Sequence, residues 1–314
     1  MSDGLTTWDL LRRLLVLDSP SGDEGAIADW LMDYAATQWP DTRRERLGDS
    51  VLIVRGERPA TALFAHTDTT GFTLGYEKAL IPLGSPDPKR REALRPVGGP
   101  DGGNRLKRRQ NGDWVLMGET EQKPGSRWIY ATQPVRDGDM VTSPYLDNRG
   151  GVCAALMALG RCPNIAVAFT VGEEHSGHGA FVCARWLYKQ YGIIQALISD
   201  ITWDTAHIHC GKGVAVSLRD RTVPRQRFLD QILALAELSA IPFQREIESS
   251  GGSDGGSIER SGVPMDWVFV GAPEKKPHTS AERLDLRDLE SMIDMLVFLV
   301  DALHAQSLKD KDSD

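Results

Sequence analysis

"NIAVAFTVGEEHSGHGAFVCARWLYKQYGIIQALISD", residues 164–200, decides how this chain reads. It opens on a continuous apolar strand, "NIAVAFTV", passes into a helix, "GAFVCARWLYKQYG", and returns to an apolar strand, "IIQALISD". Alternation of this kind builds a largely parallel sheet covered by helices on both faces. The pattern extends in both directions. The helix "DNRGGVCAALMALG" precedes it. After it come the strand "GVAVSL", the helix "RQRFLDQILALAELSA", a glycine-rich loop "SSGGSDGGS", the strand "PMDWVFVG" and a last helix, "LRDLESMIDMLVFLVDALHAQ". The polar tail "SLKDKDSD" is expected to fray. Upstream, residues 5–17 form an amphipathic helix. Ser21 and Glu24 suit a capping box for a helix through "GAIADWLMDYAA", followed by the strands "SVLIVRG" and "ATALFAH".

Residues 72–141 have another character. Short strand candidates ("FTLGYEKALIPLG", "DWVLMGE", "SRWIYAT", "GDMVTS") alternate with Gly, Pro and charge, which predicts a small inserted β-barrel or sandwich. Its middle, "SPDPKRREALRPVGGPDGGNRLKRRQNG", reads as a solvated, locally basic loop. The fold class is therefore α/β: a mixed, largely parallel sheet with helices on both faces. Residues 1–71 and 142–314 build it, and 72–141 form the inserted β domain.

The totals set bounds. With 314 residues, 41% hydrophobic and 25% charged, the chain has material for a full core. Its net charge of -8 argues against nucleic acid as a partner. The apolar stretch near the N-terminus is interrupted by Arg12 and Arg13, and no other run approaches membrane-spanning length, so no membrane partner is expected. Four cysteines without a CxxC pair read as buried thiols of a cytoplasmic protein.

Chemistry-bearing residues fall at the carboxyl ends of the strands. His66 and Asp68 end "LFAHTD", Glu173 and Glu174 follow "FTVG", and Asp200 ends "LISD". Asp147 opens a helix, and His278 lies in the loop after "PMDWVFV". Loops at strand carboxyl ends of an open α/β sheet converge on one crevice. Each residue alone has a structural explanation as turn former or cap. Together they do not, because several carboxylates share one crevice only if a cation neutralises them. Histidine and carboxylate without cysteine is the ligand type of a hydrolytic metal centre.

The motifs "AHTDTTG", "YLDNRGG", "VGEEHSGHGA", "LISDITW", "SGGSDGGSIERSGVP" and "PHTSAERLDLRDLE" resemble, in order, those of the glutamyl aminopeptidase and tetrahedral aminopeptidase family of co-catalytic dinuclear metallopeptidases. The resemblance spans about residues 60 to 300 and includes an inserted β domain. It implies two divalent metal ions, with zinc first and cobalt or manganese as alternatives. Asp147 would bridge them, His66 and Asp200 would complete one shell, and Glu174 and His278 the other. Glu173 would be the general base acting on a metal-bridging water. Asp68 would accept the second ring N–H of His66. The family pattern also implies a cis peptide at Asp147–Asn148. The insert would serve oligomerisation or substrate access, in a dimer at least.

His175 and His178 match family positions that bind no metal. His207 and His209, in "DTAHIHCGKG", have the spacing of one strand face, but loop contacts are the simpler reading. Asp254 matches a glycine-rich loop near the site. The activity expected is removal of N-terminal residues from short peptides. A metal-dependent dipeptidase, an N-acyl-amino-acid deacylase and an inactive binding protein of the same fold are the alternatives. An all-β insert favours the aminopeptidase over the deacylases, whose lid is α/β.

Overall fold

The computed structural model describes residues 5–175 and 177–312. The first segment contains α1 (Thr7–Leu15), α2 (Gly25–Gln38), β1 (Arg43–Leu47), β2 (Ser50–Arg55) and β3 (Ala62–His66). Next come eight short strands: β4 (Gly71–Leu74), β5 (Leu80–Leu83), β6 (Leu94–Pro96), β7 (Arg105–Arg108), β8 (Trp114–Met117), β9 (Arg127–Tyr130), β10 (Val135–Asp137) and β11 (Met140–Ser143). The remainder holds α3 (Leu146–Arg161), β12 (Ile165–Thr170), α4 (His178–Tyr191), β13 (Gln195–Trp203), β14 (Val214–Ser217) and α5 (Gln226–Ser239). It ends with β15 (Phe243–Glu246), α6 (Asp254–Arg260), β16 (Asp266–Lys275), β17 (Glu282–Asp285) and α7 (Leu286–Asp312).

One large sheet runs β1-β2-β12-β3-β13-β16-β17-β11-β10, with β14 paired to β16 and β15 to β14. Its centre, β12-β3-β13-β16, is parallel, and antiparallel strands flank it on both sides. The centre strands are buried on both faces, and their residues alternate between two cores. Leu63, Val167, Leu197 and Val268 face the core built with α1, α2, α3, α5 and α7. Phe64, Ala168, Ile198 and Trp267 face the core built with α4 and α6. Helices therefore cover both faces, and the carboxyl ends of the parallel strands open on one edge.

Between β3 and α3, a four-stranded sheet β5-β4-β9-β6 and the hairpin β7-β8 enclose a core of their own, with Phe72, Leu94, Trp128 and Tyr130. The strand expected in "GDMVTS" does not join them; β11 pairs with β17 and extends the large sheet. The expected basic loop contains β6 and β7, and its first part, 85–92, is largely exposed but touches the large domain at His278.

Local expectations fail where a tertiary partner outbids a near neighbour. Ser21 and Glu24 form no capping box: Ser21 Oγ donates to the buried carboxylate of Asp68 at 2.6 Å, and Glu24 accepts from Gly22 N–H. A reciprocal capping box forms instead at Thr6 and Asp9, ahead of α1. The glycine-rich segment is not loop throughout, since Ser253 caps α6 through the Gly255 N–H. The tail is helical to Asp312, and the last two residues lie outside the described ones. Contrary to the expectation of no spanning-length run, Leu286–Lys309 is long and apolar enough to cross a membrane by length and composition. In this fold it is a core helix, with Leu289, Met292, Leu296 and Leu299 buried in the core it shares with α3 and α5.

Candidate metal centre and active site

β3 and β13 run parallel with Phe64 opposite Ile198, so His66 and Asp200, each two residues further on, stand side by side. His66 ends β3, but Asp200 does not end its strand as expected, because pairing with β16 carries β13 on to Trp203. Thr170 lies opposite His66 at the end of β12, and the chain then turns through Glu173 and Glu174. Asp147 stands at the start of α3, where it and Asn148 depart from helical dihedrals and the peptide between them is cis. α3 lies tight against β13. The Asn148 side-chain amide donates to Ser199 O at 3.0 Å, and Ser199 Oγ donates to Gly151 O at 2.8 Å. A Cβ on Gly151 would meet Ser199 O and Asn148 Oδ1 at 2.1 Å, so only glycine lets the helix bring Asp147 this close to Asp200.

The geometry divides into two sets that share one residue. His66 Nε2 lies 3.2 Å from Asp147 Oδ1 and 3.4 Å from Asp200 Oδ1. His278 Nε2 lies 3.4 Å from Asp147 Oδ2 and 3.5 Å from Glu174 Oε1. In each set the donor atoms lie within 4.8 Å of one another, close enough to surround one ion. Asp147 thus turns one carboxylate oxygen to each set. Glu174 Oε1 is buried without a hydrogen-bond partner, an acceptor that burial would penalise unless a cation met it.

The electrostatics point the same way. Burial pushes the Glu174 carboxyl up to about 8 and drives Glu173 well above the carboxylate range. Burial opposes charge on His278, but the carboxylates of Asp147 and Glu174 outweigh it and hold the ring up at about 10. Burial likewise opposes charge on His66, and Asp200, Asp147 and Asp68 overcome it. Protein alone keeps protons in this cluster, in the place where divalent cations would supply the missing positive charge.

Asp68 is fully buried, and its role differs in detail from the expected one. The nearer oxygen to His66 Nδ1 is the Asp68 main-chain carbonyl, at 3.2 Å, with the carboxylate at 3.5 Å. The carboxylate accepts from the backbone N–H groups of both Glu173 (2.9 Å) and Glu174 (3.1 Å). It therefore fixes the glutamate turn as well as facing His66. Arg149, also fully buried, donates to Thr67 O at 2.7 Å and to Leu14 O and Leu17 O, tying the His66 strand end to α1.

The set opens into a crevice of about 930 Å³, lined also by Trp203, Ser217, Glu246, Ser257 and Phe269. His175 borders it, its Nδ1 accepting from Gly84 N–H at 3.2 Å. His207 and His209 lie on an exposed loop after β13 and do not share a strand face. Asp254 is buried at the start of α6 and accepts from Thr170 Oγ1 at 2.5 Å; burial raises its carboxyl to about 7. Sequence reasoning assigned no role to Glu282, which accepts from the Asp147 N–H at 3.3 Å. Its place inside the "PHTSAE" motif was the available signal.

The family model for M42 glutamyl aminopeptidase matches residues 119–295. A provisionally named aminopeptidase of Acetivibrio thermocellus is 25% identical over 92% of this chain and 97% of its own length. The solved TET aminopeptidase from the marine sediment archaeon Thaumarchaeota archaeon SCGC AB-539-E09 superposes with a TM-score of 0.81 at 20% identity, covering 94% of this chain and 95% of that one. Pyrococcus horikoshii TET1 peptidase, which assembles into a tetrahedron or a large octahedral shell, gives 0.78 at 19% identity over 94% and 99%. These likenesses share the fold, and the family match covers more than half of the chain. The chain belongs to the M42 glutamyl aminopeptidase family, and it is a peptide-bond hydrolase.

Proposed function

We propose that this protein is a metal-dependent aminopeptidase that removes N-terminal residues from short peptides. One observation carries the reading: Asp147 presents a separate carboxylate oxygen to each of two ligand sets. His66, Asp147 and Asp200 would hold one divalent ion, and Asp147, Glu174 and His278 the other. Nitrogen and oxygen donors of this kind suit zinc, with cobalt or manganese as substitutes. When bound, such a pair supplies an activated water and polarises the scissile carbonyl.

The chain's own residues do the rest. Glu173 neighbours a ligand without belonging to either set, so its carboxylate stays free to handle protons. It takes the proton from the attacking water and delivers it to the nitrogen of the departing amine. Asp68 holds the Glu173 and Glu174 amides, so base and ligand keep their separate directions. The domain between β3 and α3 consists of strands and one 3-10 turn, which favours an aminopeptidase over a deacylase with an α/β lid. We read it as an oligomerisation or access element in a homo-oligomer. The free thiols, three of them buried, suit a cytoplasmic setting.

The test is metal analysis of the purified protein with turnover of amino-acid anilides. Two equivalents of divalent metal per chain are expected, with cleavage of free but not N-acetylated substrates. Glu173→Gln should lower kcat by roughly 10²–10⁴-fold and keep the metal. Turnover of only the blocked substrates would move the assignment to a deacylase, and absence of stoichiometric metal would favour an inactive relative.

A further inference from the structure

The segment that follows β5 leaves the inserted domain and crosses to the metal centre. His278 Nδ1 lies 2.9 Å from the main-chain oxygen of Ser85. A carbonyl only accepts, so Nδ1 keeps its proton, and Nε2 is the nitrogen that offers a lone pair once the ring gives up its second proton. That nitrogen is the one that faces Asp147 and Glu174. Ser85 supplies the one hydrogen-bond partner of Nδ1 among the described residues.

Gly84 acts on the neighbouring ligand. Its φ is +68°, and an added Cβ would lie 3.0 Å from Glu174 Oε2, 3.2 Å from Glu174 Cβ and 3.1 Å from Thr70 Cγ2. The backbone thus rests directly on the Glu174 side chain and limits where its carboxylate can swing. Two further bonds hold the segment to the His278 loop. Asp87 N–H donates to His278 O at 3.0 Å, and Ser280 Oγ donates to Glu92 Oε1 at 2.6 Å.

We propose that Gly84 and Ser85 are positioning residues of the metal centre, through which the inserted domain sets the orientation of His278 and Glu174. This rests on the reading that these two side chains bind metal. The half of the centre made by His66 and Asp200 needs no such help, because His66 Nδ1 finds its acceptor at Asp68, in its own domain. The insert then serves two purposes, since an element read as access or assembly also completes one ligand set.

The experiment titrates Zn²⁺ into metal-stripped full-length protein and follows the two equivalents separately, together with the His278 ring ¹⁵N signals. Gly84→Ala, and independently Glu92→Ala, should weaken one equivalent by about 10–100-fold and leave the other at wild-type affinity. The protonated Nδ1 signal of His278 should shift or broaden in both. His278→Ala, run in parallel, should abolish the same equivalent. If it does so while Gly84→Ala and Glu92→Ala bind both equivalents normally, the positioning role is refuted. A lower melting temperature of the metal-free variants with unchanged Zn²⁺ affinity would refute it equally, as a purely structural contact. If His278→Ala keeps both equivalents, the ligand assignment itself fails. Should Gly84→Ala not fold, Glu92→Ala carries the test.

Discussion

The two halves of the proposed metal centre are built differently. His66, Asp147 and Asp200 are all buried, and two of them stand on adjacent parallel strands, His66 at the end of β3 and Asp200 within β13. Glu174 and His278 come from a turn and a loop, and His278 is 19% exposed at its side chain against 2% for His66. The first half inherits its geometry from the sheet, where hydrogen-bond register and two packed cores leave the strand ends little freedom. The second half is assembled from segments distant in the chain, including part of the insert. A site on sheet ends is as rigid as the sheet, whereas a site on loops is as rigid as the contacts that brace them.

Removing the shared residue should have the largest effect. Asp147→Ala takes a donor from both sets, and bound divalent metal should fall from two equivalents toward none, with turnover at background. Retention of one tight equivalent at the His66 half would show the halves to be more independent than the shared carboxylate implies. Elemental analysis of the dialysed variant decides this.

Asp68→Ala comes next. Its carboxylate touches the Glu173 and Glu174 amides and faces His66, so both halves should weaken, by about 10–100-fold in metal affinity. A loss confined to one equivalent would assign Asp68 to that half alone. Competition with a chelator of known affinity provides the measurement.

The smallest effect expected is on pH dependence. His278 is held up at about 10, so metal must displace its proton at neutral pH. Zn²⁺ binding should therefore release protons at pH 7 and tighten as pH rises toward 8, where Glu174, raised to about 8, also ionises. In the metal-free protein the sign reverses. The raised His278 contributes stability that is complete below about 6.5, the ordinary histidine value, and is lost as pH rises through about 10. Calorimetry in two buffers of different ionisation enthalpy measures the released protons. Melting curves of stripped protein at pH 6 and 9 give the second trend, and a flat or rising curve would break it.

How much of this was legible follows the same division. The strands "ATALFAH", "NIAVAFTV" and "IIQALISD" announce themselves by apolar runs, and the residues at their ends could be named before any coordinates. β1, with the sequence RRERL, and β10, exposed throughout, lack that pattern, because strands at the rim bury little and leave no apolar signature. Ser21 misled, since its three-residue spacing from Glu24 fits a cap while the carboxylate that claims it lies 47 residues away. The basic stretch after β5 is largely exposed, as its composition indicates, but nothing local indicates that Ser85 O will meet His278 Nδ1.

The amino-acid sequence by itself determined the α/β class, the inserted β region and the identities of the acids and histidines. Periodicity and burial are local properties of composition, and short motifs preserve their residues in order. Only the tertiary structure decided the distances: that Asp147 turns one oxygen to each set, that Asp68 holds the glutamate turn, and that the insert reaches back to His278. These are contacts between residues far apart in the chain. Their geometry follows from how sheet, helix and insert pack, which no local pattern records.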